Sequence, residues 1–177
     1  MKSILLLLVC ATALTEVGCA RVNKIVNKTA GATAMLLPTR DSEVRGTMKF
    51  QQRADVVFIT GTVTGLTPGP HGLHIHEKGD CTAPDGSSAG PHFNPHGSPH
   101  GAPTDAGHHG GDLGNIVANE EGTADFSLES RDITLGTEPH SIIGRAVIVH
   151  ADPDDLKSQP AGKAGARLAC GLVSKDP

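Results

Sequence analysis

The chain has 177 residues, a formal net charge of −4, and four phenylalanines as its only Phe, Tyr or Trp residues. This length is enough for one domain with a sizeable hydrophobic core. The charge is mildly acidic, there is no basic run, and almost no aromatic side chains are present to stack on bases. Nucleic acid is therefore excluded as an expected partner.

The first twenty residues have the anatomy of an export signal. A basic start at Met1 and Lys2 is followed by an apolar run from 4 to 14 and by small residues at 18–20. The run is too short to span a bilayer, and no later run is long enough to do so. We expect residues 1–20 to direct export to the periplasm or cell envelope. Residues 21–31, which are polar with scattered valines, are predicted to be a tether or disordered start.

Two cleavage reactions are open at the end of this signal. The residues EVGC at 16–19 resemble a bacterial lipoprotein cleavage box, in which Cys19 would be acylated and would anchor the protein to the membrane. Glu16 stands where that box has an aliphatic residue, so ordinary cleavage after Ala20 is the alternative. Either reaction removes both Lys2 and Glu16 and leaves the net charge of the body unchanged.

Two of the four cysteines, Cys81 and Cys170, lie in the body of the chain. In an exported protein such a pair most economically forms one disulfide, and two free thiols are the alternative. Closing so long a loop would stabilise the fold by about 4 to 5 kcal/mol in the chain-entropy description.

Beyond the predicted tether the apolar pattern has period two, which is typical of strands. Val44, Met48 and Phe50 follow this period, and a second run from 57 to 63 repeats it. Further strand-like runs lie at 32–37, 71–76, 114–118, 123–128, 143–150 and 166–173, separated by turns rich in glycine and proline. Eight short strands predict an all-β domain over 32–177, an antiparallel sandwich or barrel with a mostly aliphatic core.

Residues 81–111 break the strand pattern with a stretch rich in Gly, Pro, Ser and His. A structureless loop of this length in a compact domain is normally either functional or disordered. Bound metal would explain how the loop is ordered.

Eight of the ten histidines lie between 71 and 109, and the others are His140 and His150. His74 and His76 alternate with Ile75, so a strand places both imidazoles on one face, as a transition metal that prefers nitrogen ligands requires. His150 ends another strand-like run and offers a third imidazole.

The long loop contains a second set of metal-binding residue types. His92, His100 and His109, followed by Asp112, make a closed tetrahedral set of the kind that holds a structural zinc. A histidine tract that binds metals loosely is the alternative, but it would have repetitive spacing and no supporting strands on both sides.

Five segments in order carry a family resemblance: GPHGLHIHEKGDC, AGPHFNP, HHGGDLGN, GRAVIVHADPDDL and GKAGARLACG. They resemble the successive signatures of copper/zinc superoxide dismutase, in particular its bacterial, exported type, and cover residues 32–174. The resemblance implies an eight-stranded Greek-key β-sandwich or barrel with long metal-binding loops, which holds one copper and one zinc per chain.

The resemblance also assigns roles to individual positions. It implies copper ligands at His74, His76, His92 and His150, and zinc ligands at His92, His100, His109 and Asp112, with His92 bridging the metals. It further implies that Asp154 joins His74 to His100 and that His71 braces the site. Cys81 and Cys170 would form the family disulfide. Arg167 would guide the anionic substrate. The resemblance also favours His109 over His108, because the family spacing places this ligand three residues before the aspartate, here Asp112.

The implied reaction is disproportionation of superoxide to dioxygen and hydrogen peroxide through alternating Cu(II) and Cu(I), with zinc as a structural ion. His92 would accept a proton and return it. Because the protein is net negative, an anionic substrate needs a local positive funnel, for which Lys163 is a second candidate beside Arg167. The alternative for Lys163 is an ordinary solvated lysine.

Other readings stay open at this point. A non-catalytic copper carrier and a zinc-buffering sandwich are the rival functions, and the full ligand set together with Arg167 favours the enzyme. The resemblance leaves both a monomer and a homodimer open, and it gives His96, His108 and His140 no role.

Overall fold

The computed structural model describes residues 30–177, so the predicted export signal, Cys19 and residues 21–29 of the predicted tether lie outside the described residues. The strands are β1 (Ala30–Pro38), β2 (Arg45–Arg53), β3 (Val56–Thr64), β4 (Gly69–His76), β5 (Asp112–Ala118), β6 (Ala124–Ser130), β7 (Ala146–His150), β8 (Arg167–Leu172) and β9 (Ser174–Lys175). The first eight coincide with the eight predicted runs. β1 begins two residues before the predicted domain boundary, and the two-residue β9 is too short to leave a pattern in the sequence.

The strands pair in the order β5-β4-β7-β8-β1-β2-β3-β6, and β9 pairs with β1. All of these pairings are antiparallel. β1 joins the two halves of the sheet, since residues 30–36 pair with β2 while Leu37 and Pro38 pair with β8. The end strands β5 and β6 lie beside each other, so the sheet curls into a nearly closed barrel. The predicted all-β, eight-stranded antiparallel Greek-key fold is confirmed.

The period-two pattern corresponds to burial inside the barrel. Met48 and Phe50 on β2 and Ile59 on β3 are fully buried, while their neighbours in the chain face outward. Aliphatic side chains from β1, β4 and β7 complete this core, as the scarcity of aromatic residues requires. Burying each large aliphatic side chain stabilises the fold by about 1.5–3 kcal/mol.

β4 is buried on both faces because a loop covers its outer side. Leu73 and Ile75 point into the barrel core, and the alternating residues His74 and His76 are also fully buried. Backbone hydrogen bonds hold the covering loop on the end of β4. The carbonyl of Ile75 accepts from the N–H of Phe93 at 2.8 Å, and the N–H of Ile75 donates to the carbonyl of Gly111 at 2.9 Å. The strand therefore places its histidines between the barrel wall and the loop.

The loop between β4 and β5 has little regular structure, as predicted, and contains one 3₁₀ turn at Ser87–Ala89. A disulfide between Cys81 and Cys170 ties the start of this loop to β8, across 89 sequence positions. The prediction of one disulfide is confirmed, and the free-thiol alternative is wrong. Within residues 30–177, no helix has the length and apolar character needed to cross a membrane.

Candidate metal centre

Two groups of metal-binding side chains lie on the outer side of the barrel, beneath the long loop. In each group the candidate ligand atoms lie within 4.8 Å of one another, and all the residues are buried. The first group is His74, His76, His92 and His150, and the second is His92, His100, His109 and Asp112. These are the residues that the sequence predicted, and His92 belongs to both groups.

The second group converges on one carboxylate oxygen. Asp112 Oδ1 lies 2.8 Å from Nδ1 of His92, 3.0 Å from Nδ1 of His100 and 3.2 Å from Nδ1 of His109. The other oxygen, Oδ2, accepts hydrogen bonds from the backbone N–H groups of Gly101 and His109 at 3.1 and 3.0 Å. Three imidazoles and one oriented carboxylate make the compact set that a tetrahedral divalent metal takes.

Five buried imidazole nitrogens among the described residues make no hydrogen bond: Nδ1 of His74 and His100, and Nε2 of His76, His92 and His150. Of these, His100 Nδ1 lies 3.0 Å from Asp112 Oδ1, but without the geometry of a hydrogen bond. Such atoms are rare in folded proteins, because each leaves a desolvated polar group unpaired. Each of the five belongs to one of the two groups. The unpaired nitrogens of the first group suit copper, and those residues together with the second group fit two metal ions.

In His74, His76 and His100 the second ring nitrogen contacts a residue outside the two groups. The Asp154 carboxylate accepts a hydrogen bond from His74 Nε2 at 2.8 Å and another from His100 Nε2 at 2.9 Å, and so joins one ring of each group. His76 Nδ1 lies 2.8 Å from the carbonyl oxygen of Gly90. Such partners set which nitrogen of each ring is free and where it points.

Backbone and amide groups hold this framework, and sequence reasoning missed them. Asn115 exchanges two hydrogen bonds with the backbone of Asp154, at 2.7 and 2.9 Å. The Gln159 side chain does the same with the backbone of His100, at 2.8 Å in each direction. Gly162 has φ 64°, and a side chain there would overlap the Asp154 carboxylate. These residues are ordinary in type, and only their long-range contacts reveal them.

Burial lowers the pKa of three histidines of the first group. Desolvation, together with the neighbouring imidazoles, lowers the pKa of His76 to about 2 and that of His150 to about 3. Desolvation likewise lowers the pKa of His74 to about 4, although Asp154 counteracts part of this shift. Neutral imidazoles are the form that binds metal, so these three rings are ready for metal at neutral pH.

The two carboxylates stay ionised despite their burial. Desolvation alone would raise the pKa of Asp112, but His92, His100 and His109 lower it well below its usual range. Desolvation would also raise the pKa of Asp154, but hydrogen bonds from His74, the backbone N–H of Leu156 and His100 lower it below its usual value. Ionised carboxylates supply negative charge that offsets a bound divalent cation.

Arg167 lies at the edge of the first group and is partly buried. Its Nη1 donates to the carbonyl of Gly86 and its Nη2 to the carbonyl of Gly90, each at 2.7 Å. Burial lowers the pKa of Arg167, and Asp85 offsets part of that effect. A guanidinium nevertheless stays protonated in proteins, so a fixed positive charge stands beside His76 and His150.

The other predicted residues fall into distinct places. His71 is buried, with Nδ1 2.9 Å from the carbonyl oxygen of His150 and Nε2 2.9 Å from that of Thr67, so it contacts the backbone of a group member and no ligand atom. His108 lies outside both groups, with Nδ1 2.7 Å from the carbonyl oxygen of His109 and Nε2 3.5 Å from Asp132. Lys163 is exposed.

This architecture defines a class: an antiparallel β-barrel with two adjacent metal positions that share one imidazole, and with an arginine at the edge of one of them. The model of the family described as copper/zinc superoxide dismutase matches residues 44–173. An extracellular superoxide dismutase [Cu-Zn] of Brugia pahangi is 45% identical over 163 residues, which cover 86% of this chain and 80% of the relative. The chain belongs to the copper/zinc superoxide dismutase family of oxidoreductases, whose cofactors are copper and zinc.

The metal-free protein should lose stability as the pH falls below about 6.5. The unfolded chain protonates its histidines near that pH, whereas folding lowers the pKa of His74, His76 and His150. The unfolded state then binds more protons, and each such histidine removes about 1.4 kcal/mol of stability per pH unit until its folded pKa is reached.

Urea unfolding of chelator-treated protein at about pH 7 and about pH 5.5 measures this loss. A His76→Asn variant should have a shallower pH dependence than the wild type, while a His96→Asn control at an exposed position should keep the full slope. Equal unfolding midpoints at the two pH values in the wild type would contradict the analysis.

Proposed function

We propose that this chain disproportionates superoxide, converting two superoxide ions and two protons into dioxygen and hydrogen peroxide. The observation that carries the proposal is His92, whose two nitrogens face two different ligand groups. When bound, copper would supply the one-electron chemistry by alternating between Cu(II) and Cu(I), and zinc would supply fixed charge and geometry.

The unpaired imidazole nitrogens support the assignment of the copper ligands, and the convergence of three imidazoles on Asp112 supports that of the zinc ligands. Copper would be held by Nδ1 of His74 and by Nε2 of His76, His92 and His150, the unpaired atoms of the first group. Zinc would be held by Nδ1 of His92, His100 and His109 and by Asp112 Oδ1, which already converge in space. An all-nitrogen set suits copper, and a set with one carboxylate suits a structural zinc.

His92 would also move the proton. Its Nδ1, which lies 2.8 Å from Asp112, would be held on the zinc side, so the ring would keep one orientation while Nε2 changes its proton. We infer that Nε2 takes up a proton when it is not bound to copper in one half of the cycle and gives it to the reduced substrate in the other. Because Nε2 makes no hydrogen bond within the described residues, only copper and this proton would compete for it.

Arg167 would attract superoxide and hold it beside copper. Its position next to His76 and His150 and its two carbonyl contacts aim a permanent positive charge at the copper group. Lys163, which is exposed four residues earlier in the chain, would add to the same positive field. A local field of this kind can overcome the net charge of −4, because field lines focus in a cleft.

Asp154 and His71 would be positioning residues. Asp154 would keep His74 and His100 in fixed tautomers, so that the two metal positions hold a constant separation. His71 would brace the backbone at His150, where β7 ends.

We propose that the protein is exported to the periplasm or cell envelope as an antioxidant defence. Support comes from the Cys81–Cys170 disulfide, which persists in oxidising compartments, and from a relative whose name describes it as extracellular. Mass spectrometry of the mature protein should find an acylated Cys19 or a chain that begins at Arg21. An intact Met1 start in protein recovered from its own host would contradict export.

Replacing Arg167 tests the enzyme against a non-catalytic copper carrier. Arg167→Ala should lower superoxide consumption about tenfold or more, because the attractive charge is lost, while copper content stays at one per chain. Arg167→Lys should keep an intermediate rate with stronger dependence on ionic strength.

The matched control is Arg53→Ala, which removes an exposed arginine from β2 and should leave the rate unchanged. Superoxide consumption that stays at the wild-type level in Arg167→Ala would remove the role assigned to this residue. An absence of turnover in the fully metallated wild type would favour the carrier.

The adjacent pair His108 and His109 tests the zinc assignment. His109→Ala removes a nitrogen that lies 3.2 Å from Asp112 and should lower zinc content below one per chain while copper is retained. His108→Ala removes a ring whose nitrogens face the His109 carbonyl and Asp132 and that lies outside both groups, so zinc should be kept. Metal analysis of both variants measures this, and zinc loss from His108→Ala alone would reverse the assignment.

A further inference from the structure

Besides His71, which contacts the backbone at His150, three histidines lie outside the two ligand groups, and the structure separates them. His108 packs on the loop beside Asp132. His96 and His140, which are distant in sequence, come together at the surface, with ring centroids 4.6 Å apart and ring planes inclined by 43°. His96 is exposed and His140 is partly exposed.

The spacing of this pair matches that of the metal-binding rings in the same protein. In the first ligand group the closest ring centroids are 3.9 Å apart, for His74 and His92, and the most distant are 6.3 Å apart, for His74 and His76. In the second group the pairs are 5.5 to 5.6 Å apart. The separation of 4.6 Å lies inside the range at which rings of this protein can reach one ion.

We propose that His96 and His140 form a third metal position, an exposed two-imidazole site that takes a divalent transition-metal ion, with Cu²⁺ preferred. Two imidazoles within reach of one ion bind it more tightly than either ring alone, because the second bond forms intramolecularly. Cu²⁺ binds nitrogen ligands most strongly among the divalent first-row metals, and its remaining positions would be filled by water.

The surroundings agree with a cation site built on nitrogen alone. The nearby Glu138 carboxylate is already engaged by Arg145, whose Nη2 lies 3.2 and 3.1 Å from its two oxygens. The proposed protein ligands are therefore the two imidazoles alone. The net charge of −4 also favours a bound cation over a bound anion.

The position of the pair gives the site a structural consequence. His96 lies on the loop between His92 and His100, and His140 lies on the segment before β7, where its carbonyl accepts from Thr134 N at 2.9 Å. An ion held by both rings would cross-link these two segments. Because it binds only when the segments are together, it would raise the thermal unfolding midpoint of the protein.

Cu²⁺ titration of the fully copper- and zinc-loaded protein, with free thiols alkylated, tests the proposal. Calorimetry should find one further Cu²⁺ equivalent per chain, and the paramagnetic resonance signal that the titration adds to that of the loaded protein should carry hyperfine structure from two nitrogens. His96→Asn and His140→Asn should each weaken this binding about tenfold or more. The double variant should lose little beyond either single one, because one remaining imidazole no longer chelates.

Superoxide consumption is the control, and it should be unchanged in all three variants, since neither residue belongs to the copper or zinc group. The unfolding midpoint of the wild type, but not of the double variant, should rise with added Cu²⁺. A further equivalent that persists in the double variant would overturn the site. So would independent, additive losses in the single variants or a spectrum without nitrogen hyperfine structure.

Discussion

The burial of five unpaired imidazole nitrogens is the constraint on which the rest of this structure depends. An unsatisfied buried polar group costs about 1–3 kcal/mol, so five of them together rival the whole stability of a typical domain, about 5–15 kcal/mol. A sequence that concentrates such groups in one place gains stability from any partner that takes them up in the folded state. Metal ions do this, since each takes up several of these nitrogens at once and binds the folded state selectively.

The same constraint explains how a long loop without regular structure stays ordered. Between Cys81 and Gly111 the regular structure is one 3₁₀ turn and a single β-bridge from His92 to His76, so no extended strand ladder holds the loop. Its order comes from three kinds of connection: the disulfide at one end, the backbone bonds to Ile75 at the other, and ligand groups in between. The barrel supplies the rigid partner for each, since β4, β7 and β8 are paired on both sides.

The fold could be predicted from the sequence because its signal is local. Alternation along β2 and β3 is a period-two pattern that any core-facing strand imposes, and the turns between strands require glycine and proline. Strand β9 was not predicted, because two residues are too few to show a period. The register at His108 and His109 could be argued only from family spacing, whereas in the structure Nδ1 of His109 faces Asp112 and His108 faces away.

The ligand types could be predicted for the same reason, since histidine in a dense pattern is chemically distinctive. The groups that hold these ligands could not, because an asparagine, a glutamine or a glycine carbonyl has no distinctive chemistry in a sequence. Asn115 reaches Asp154, and Gln159 reaches His100, across 39 and 59 positions. Only folding brings such partners together, so the supporting contacts are the part of a metal site that the sequence conceals.

The Gly90 carbonyl is another supporting contact that the sequence does not reveal. It accepts hydrogen bonds from His76 Nδ1 at 2.8 Å and from Arg167 Nη2 at 2.7 Å, so both lone pairs of one oxygen are used. A shift of this peptide would move a candidate copper ligand and the guanidinium together. The disulfide fixes the loop that contains Gly90 to β8, the strand that begins at Arg167. One covalent link thus keeps the metal position and the positive charge beside it in a single geometry, although neither cysteine touches a ligand group.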